Sequence, residues 1–244
     1  MDIEFEKLQH LIDISKKIVF FGGAGVSTES GLKDFRSKDG LYNLKSKYGR
    51  PYEEMLSHTY FMNHTKTFYD FYREFMIIKD IKPNPAHIYL AKLEKIKDLV
   101  VITQNIDGLH QEAGSVNVIE LHGSIQRNYC MDCYRKYDLS VITSTNDIPT
   151  CPHCGGIIKP DVVLYEEPLD QENLSNAINA LSDADLLIVA GTSLRVYPAS
   201  GLIRYYGGKN IVVINKEHLE LYSPNVLEIN SPVGEVFSQL YINK

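Results

Sequence analysis

Short apolar runs alternate along this chain with stretches in which apolar residues recur every three or four positions. The second pattern is typical of helices and predicts them at residues 4–16, 86–96 and 169–184. The apolar runs are typical of buried strands and predict them at residues 17–21, 99–103, 116–121, 185–191 and 210–215. Strands that are apolar on both faces and alternate with helices form parallel sheets covered on both sides. The pattern therefore predicts an α/β fold with a doubly wound parallel sheet.

Two segments break this alternation. Residues 40–80 are rich in tyrosine and phenylalanine and predict helices without a strand, and residues 125–159 contain all four cysteines. We interpret both as insertions that form a smaller module beside the sheet. The prediction divides the chain into a sheet domain of residues 1–36, 86–124 and 160–244, a helical insertion of residues 37–85 and a cysteine-containing insertion of residues 125–159. Ligands bind at the carboxyl ends of strands in such sheets, so a module above that edge would form a cleft.

Composition and charge narrow the class of protein. The 244 residues carry a formal net charge of −6, which gives no general attraction to nucleic acid or to an anionic membrane. No apolar run approaches the roughly 18 residues of a membrane span, and the charged N-terminal segment lacks the apolar core of a signal peptide. We therefore expect a cytoplasmic protein with reduced cysteines and with neither nucleic acid nor membrane as a partner. The sequence assigns no oligomeric state.

The cysteines form two CxxC pairs, Cys130 with Cys133 and Cys151 with Cys154, separated by 17 residues. This spacing is typical of a four-thiolate zinc site, because each CxxC turn directs two sulfurs to one point. Four thiolates fill the coordination sphere of zinc, so the predicted ion is structural and residues 125–159 are a zinc ribbon. The alternatives are two disulfides, a redox pair, or a site in which His153 replaces a cysteine.

Unusual residues follow most of the predicted strands. Gly22 to Gly25 read GGAG, which lets backbone N–H groups approach a phosphate at a helix N-terminus, although Thr28 stands where a dinucleotide fingerprint has its third glycine. Thr192 and Ser193 follow a later strand, and Asn215 ends another. Together these strand ends predict a nucleotide site, whereas the GGAG segment alone could be a plain tight turn. No acidic ribose anchor lies about 20 residues after the glycines, which disfavours an ordinary dehydrogenase.

Longer motifs resemble one family. The segments GAGVSTESGLKDFR, TQNIDGLHQEAG, LHGS, the paired CxxC turns, KPDVVLYEE and GTSLRVYPA stand in the order found in sirtuins, the NAD-dependent protein-lysine deacylases. The resemblance extends from about Lys17 to the C-terminus. It implies a Rossmann-like, NAD-binding domain with a smaller zinc-binding and helical module inserted.

The resemblance also implies roles for individual residues. Gln104 and Asn105 would hold the nicotinamide-side ribose and an ordered water, and Ile106 and Asp107 would hold the nicotinamide carboxamide. Phe35 would shield the nicotinamide face. The remaining expected NAD contacts are Ala24, Thr28, Arg36, Thr192, Ser193, Asn215 and Val233, and the expected contacts with acyl-lysine are Val163 and Tyr165.

His122, in the LHGS motif, resembles the general base of the family, and Asn105 would assist catalysis. In the implied reaction the acyl oxygen of a modified lysine attacks the NAD ribose and expels nicotinamide. His122 then takes a proton from a ribose hydroxyl, which attacks the resulting imidate. The implied products are free lysine, nicotinamide and O-acyl-ADP-ribose. We expect NAD as co-substrate, one structural Zn²⁺, and acyl-lysine proteins or peptides as substrates.

The chain also departs from the family pattern. Glu166 stands where the family has glycine, and Lys159 stands where it commonly has arginine. Family members that remove acidic acyl groups carry a tyrosine and an arginine three residues apart, whereas here Tyr72 follows Tyr69 at that spacing. Arg73, one position on, is interpreted as a surface residue. We therefore expect an acetyl or another uncharged acyl group.

Three other functions remain open at this stage. ADP-ribosyl transfer to a protein would share the cleavage of NAD but would be less dependent on His122. An NAD-sensing binding module would bind NAD without releasing nicotinamide. A plain oxidoreductase would reduce NAD with an alcohol or an acid.

Overall fold

A computed structural model describes residues 3–34, 48–219 and 225–243. Its main element is a parallel sheet of six strands in the order β3-β2-β1-β7-β8-β9, which confirms the predicted doubly wound α/β class. The strands are β1 (Lys17–Gly22), β2 (Asp98–Thr103), β3 (Val118–Glu120), β7 (Leu186–Ala190), β8 (Asn210–Ile214) and β9 (Val226–Ile229). The predicted run at 116–121 is thus a three-residue strand, and the edge strand β9 was not predicted.

Helices cover both faces of this sheet. Neighbouring side chains of β1 point to opposite faces, so Phe20 lies in the core beneath one helical layer and Phe21 in the core beneath the other. The first layer consists of α1 (Ile3–Ile14), α5 (Pro85–Leu93) with the short α6 (Leu109–Glu112) beside it, and α9 (Val233–Ser238). The second consists of α8 (Gln171–Asp183) and the 3₁₀ helix Ala199–Tyr205. This double burial explains why the strands are apolar at consecutive positions.

The GGAG turn leads into a 3₁₀ helix, Ala24–Ser30, at the place where the sequence predicted a helix N-terminus. Gly31 ends it in the left-handed region at φ 95°, which favours glycine. The turn is also fixed from α5, because the side-chain amide of Asn84 donates to the carbonyl of Val26 at 2.7 Å. Asn84 caps α5 through the backbone N–H of Ala86, so one residue starts that helix and holds the turn.

The smaller module combines short helices with a second sheet. Its helices are α2 (Tyr52–Met55), α3 (His58–Asn63), α4 (Thr65–Phe75) and α7 (Ser140–Thr143), and its antiparallel strands, in the order β5-β4-β6, are β4 (Gly123–Cys130), β5 (Lys136–Asp138) and β6 (Ile158–Val162). Aromatic residues of α4 and apolar residues of β4 and β6 share one core. Strands β4 and β6 run across the predicted domain limits at 124/125 and 159/160, so the small sheet extends further toward the large one than the division assumes. Among the helices in the described ranges, none combines the length and the apolar character of a membrane span.

Candidate active site

The turns after β1 and β7 are packed directly against each other. These strands are neighbours in the parallel sheet, so their carboxyl ends meet. Gly25 donates its backbone N–H to the carbonyl of Gly191 at 2.7 Å, and a Cβ atom on Gly25 would lie only 2.7 Å from Gly191 Cα. Glycine is therefore required here by the contact between the two turns, which places the GGAG segment beside Thr192.

A cleft of about 590 Å³ lies between these strand ends and the smaller module, within the range typical of small-molecule sites. It brings together all the sequence-predicted NAD and substrate residues that the structure describes, while Phe35 and Arg36 lie outside the described residues. The predicted residues that line it are Ala24, Thr28, Gln104, Asn105, Ile106, Asp107, His122, Val163, Tyr165, Thr192, Ser193, Asn215 and Val233.

Hydrogen bonds between polar side chains position Asp107 and Asn105. The hydroxyl of Ser27 donates to Asp107 Oδ2 at 2.7 Å and accepts from Asn105 Nδ2 at 3.0 Å, while Leu109 N donates to Asp107 Oδ1 at 2.9 Å. Burial raises the pKa of Asp107, and the hydrogen bonds from Leu109 and Ser27 oppose that shift. The sequence analysis did not identify Ser27 as a site residue. Its position two residues after the GGAG segment was the signal that could have found it.

His122 is held at the point where the chain leaves the large sheet. Its Nδ1 lies 2.9 Å from the carbonyl oxygen of Gln104. A carbonyl oxygen only accepts hydrogen bonds, so Nδ1 carries the hydrogen and Nε2 of the neutral ring is free to accept a proton. Burial lowers the pKa of His122, and the hydrogen bond to Gln104 opposes that shift. The neutral, proton-accepting form of His122 is therefore favoured at neutral pH.

The glycine after this histidine has a structural cause. Gly123 adopts φ 76°, and a Cβ atom there would lie 2.0 Å from the carbonyl oxygen of Asp161. Only glycine allows β4 to begin immediately after His122 and to pair with Val162 of β6. The HG pair of the LHGS motif is thus a cleft histidine followed by the turn that directs the chain into the small sheet.

The predicted substrate segment lies between His122 and the helical module. Val163 N donates to the carbonyl of His122 at 3.0 Å. Tyr165 forms a parallel bridge with Ser57, in which Tyr165 N donates to the carbonyl of Leu56 and His58 N donates to the carbonyl of Tyr165, both at 3.0 Å. The backbone of residues 163–165 is therefore fixed at both ends.

A carboxylate that the sequence analysis missed also fixes this segment. Glu167 accepts hydrogen bonds from Lys159 Nζ at 3.0 Å and Leu164 N at 2.9 Å, and its other oxygen lies 2.8 Å from His58 Nδ1. Burial by itself would raise the pKa of Glu167, but these three partners outweigh burial and lower it. Lys159, which is buried, stands where the family commonly has arginine and supplies a cation to the carboxylate.

Glu166 adopts φ 76°, the left-handed region that favours the glycine of the family pattern. Its carboxylate accepts a hydrogen bond from Thr59 N at 2.9 Å. We expect Glu166→Ala to lower the melting temperature, because it keeps the unfavourable backbone conformation and removes this bond. Glu166→Gly also removes the bond but relieves the conformation, so it should melt about 2–4 °C above Glu166→Ala. Thermal unfolding of both variants checks this order, and equal melting temperatures would contradict it.

The four cysteines form a cluster at one end of the small sheet. They are free thiols, their Sγ atoms all lie within 4.8 Å of one another, and the pairs Cys130–Cys154 and Cys133–Cys151 are 3.5 and 3.7 Å apart. Tetrahedral Zn–S bonds of about 2.3 Å place sulfurs about 3.8 Å apart, so the cluster fits a zinc ion. The described part of the chain places no histidine in this cluster, and none of the four cysteines lines the cleft. The four thiolates are therefore positioned for a structural ion.

Arg73 does not line the cleft, but it is more buried than the expected surface residue, with its side chain 15% exposed. Its Nε donates to the carbonyl of Ile142 at 2.9 Å, its Nη2 donates to the carbonyl of Asp147, and its guanidinium lies 5.4 Å from the centre of the Tyr69 ring. Arg73 links α4 to the zinc-bearing segment. The sequence spacing predicted on which side of α4 Arg73 lies. It could not predict that carbonyl groups of another segment face the guanidinium.

Comparisons of the sequence and the fold with known proteins all connect this chain with one family. A family model described as the Sir2 family matches residues 23–198. The chain is 56% identical over 235 residues to an NAD-dependent protein deacetylase of Clostridium acetobutylicum, covering 96% of both chains. It is 55% identical over 233 residues to a protein of the same name from Clostridium tetani, covering 95% of this chain and 94% of that one. A solved structure of Sir2 with a p53 peptide and NAD⁺ superposes with a TM-score of 0.82 at 36% identity, covering 96% of both chains.

Proposed function

This chain belongs to the Sir2 family and is an NAD-dependent protein deacetylase, and from that premise we propose that His122 is its general base. One observation carries the proposal. His122 lines the cleft with Nδ1 occupied by the carbonyl of Gln104, so the ring presents Nε2 as its proton acceptor. Since burial favours the neutral ring, the base is in its active form at neutral pH.

NAD, when bound, supplies the ribose that receives the acyl group from lysine and releases nicotinamide. The chain's own groups divide the remaining work. Asn105 and Asp107 are oriented through Ser27, which suits them to hold the ribose and the carboxamide. Turn residues such as Ala24 and Thr192 bring backbone N–H groups and a hydroxyl to the phosphate and adenosine side. His122 Nε2 takes the proton of a ribose hydroxyl and so makes that oxygen a nucleophile.

We propose that the substrates are acyl-lysine peptides and that Val163 and Tyr165 contact the acyl-lysine. In support, segment 163–165 lines the cleft with its backbone fixed at His122 and at Leu56. An uncharged acyl group fits best, because the guanidinium of Arg73 is engaged by the carbonyls of Ile142 and Asp147. In the predicted domain division, the helical and zinc-ribbon insertions form the wall of the cleft that faces the NAD-binding domain.

We also propose that the protein acts in the cytoplasm and has neither nucleic acid nor membrane as a partner. The net charge of −6 supports the second point, and the zinc site requires thiolates that stay reduced, which supports the first. Cell fractionation would test the location.

Mass spectrometry of an acetyl-lysine peptide incubated with the purified protein tests the activity. We expect loss of the acetyl group only when NAD is present, with one nicotinamide and one O-acetyl-ADP-ribose formed per lysine freed. Consumption of NAD with the peptide intact and ADP-ribose attached to protein would instead establish ADP-ribosyl transfer. Formation of NADH, seen at about 340 nm, would establish an oxidoreductase.

A further inference from the structure

Tyr72 has a feature that the proposed function does not explain. Its side chain is fully buried, it lines the cleft, and its hydroxyl has no hydrogen-bond partner among the described residues. A buried hydroxyl without a partner loses the hydrogen bonds that water gave it in the unfolded chain. Such a group calls for an account of what it binds.

The position of Tyr72 is tightly fixed. Its ring stacks on Phe68 with centroids 5.5 Å apart and planes 19° from parallel, and both rings are fully buried. Tyr69, one helical turn away on α4, is equally buried, but its hydroxyl donates to the carbonyl of Ile158. The two tyrosines therefore have different roles. The hydroxyl of Tyr69 forms a hydrogen bond with the small sheet, whereas Tyr72 is a rigid side chain at the cleft whose hydroxyl has no partner among the described residues.

Apolar side chains form the cleft wall beside Tyr72. Ile106, Ile125 and Val162 share its core and line the same cleft. Burial raises the pKa of Tyr72, and the nearby Tyr69 and Asp161 raise it further, so the phenol stays neutral. Arg73, the adjacent cation, is held by backbone carbonyls of the zinc-bearing segment. This part of the cleft thus offers an apolar wall with one neutral group able to donate and to accept a hydrogen bond.

We propose that Tyr72 is a specificity-determining residue that favours acyl groups bearing a hydroxyl on the acyl chain over plain alkyl acyl groups of the same length. The apolar wall accepts the carbon chain, and the phenol supplies the hydrogen bond that the substrate hydroxyl loses on leaving water. A carboxylate at that place would lack a cation and would be disfavoured. The inference rests on the proposed deacylase function and extends it to a hydroxyacyl-lysine class of substrate.

Tyr72→Phe tests this, because it removes only the hydroxyl. We would measure kcat/KM for one peptide bearing 3-hydroxybutyryl-, butyryl-, lactyl-, propionyl- or acetyl-lysine. Two ratios of kcat/KM are compared, 3-hydroxybutyryl to butyryl and lactyl to propionyl. For the pair whose hydroxyl reaches Tyr72, the ratio should be about five- to tenfold higher in the wild-type protein than in Tyr72→Phe, which is the effect of one hydrogen bond in a selective pocket. Tyr60→Phe, on α3 and outside the cleft lining, is the matched control and should leave both ratios unchanged.

The outcomes separate the inference from the function on which it rests. If no acylated peptide loses its acyl group, the proposed function fails. If acetyl is removed but both ratios are the same in wild type and Tyr72→Phe, the role of Tyr72 is refuted. A changed KM for NAD with unchanged ratios would place the hydroxyl on the cofactor and would also refute it. Without ligand, Tyr72→Phe should melt no lower than wild type, and a fall of about 2–4 °C would show that the hydroxyl already has a structural partner.

Discussion

His122→Ala is expected to lower kcat/KM for deacetylation by about 10²- to 10⁴-fold, the usual contribution of a positioned general base. The loss follows from removing Nε2, the only ring nitrogen that the Gln104 contact leaves free to take a proton. Steady-state rates with an acetyl-lysine peptide and saturating NAD measure it. His10→Ala, a change at an exposed histidine of α1, should retain wild-type rates. Near-normal deacetylation by a folded His122→Ala protein would exclude His122 as the base.

The pH dependence checks the same role in the intact protein. Burial lowers the pKa of His122 below its ordinary value of 6.5, and the hydrogen bond to Gln104 opposes the shift only in part. The active form is deprotonated, so activity rises with pH through this pKa and then levels off. We expect the acid limb of log kcat/KM to be centred below pH 6.5 in wild type and to be absent from the residual activity of His122→Ala. An acid limb centred above pH 6.5 would contradict the assignment.

Loss of zinc is expected to abolish activity by unfolding the smaller module. Structural zinc sites contribute about 10–16 kcal/mol in zinc-finger peptides, far more than a small module of this kind can supply from its core. Cys130 and Cys151 belong to the core that also contains Ile125 and Val162 of the cleft wall, so the effect should reach the cleft. At a zinc concentration at which the wild-type protein holds one ion per chain, we expect Cys133→Ala to bind no zinc. The variant should also have a lower melting temperature and no measurable deacetylation.

The control for this experiment lies inside the second CxxC turn. His153→Ala should keep one zinc per chain and full activity, because the histidine is not part of the sulfur cluster. Metal content by plasma mass spectrometry and thermal unfolding are measured for both variants. A Cys133→Ala protein that retains zinc and activity would mean that the four thiolates do not hold a structural ion, and zinc loss in His153→Ala would restore the histidine as a ligand.

Features that depend on short segments could be predicted from the sequence. The core strands β1, β2, β7 and β8 are consecutive apolar residues buried on both faces, which leaves a pattern that needs no knowledge of partners. The zinc cluster follows from the spacing of two CxxC turns, each of which sets its own sulfur geometry. The convergence of the strand ends at the cleft follows in turn from the parallel sheet, whereas the strand order that brings Gly25 against Gly191 was not predicted.

Features that depend on distant partners could not be predicted in this way. Strand β4 mixes polar and apolar residues, and its pairing with β6 joins segments about 30 residues apart. The roles of Glu167 and Arg73 depend on His58 and on the carbonyl of Ile142, which lie far away in the sequence. Ser27 became a site residue only because folding placed Asp107 against it. A single sequence carries no periodicity that would report such contacts.

The hydrogen bond from Val163 N to the carbonyl of His122 joins two of the places where the chain passes between the large domain and the smaller module. The base and the substrate segment therefore lie beside the same backbone contact between the two sheets. We expect that a rotation of the smaller module about this contact would change the width of the cleft mouth while hardly displacing His122. Substitutions that alter the inclination of the module should therefore raise KM for the peptide before they lower kcat, so that substrate access can evolve separately from proton transfer.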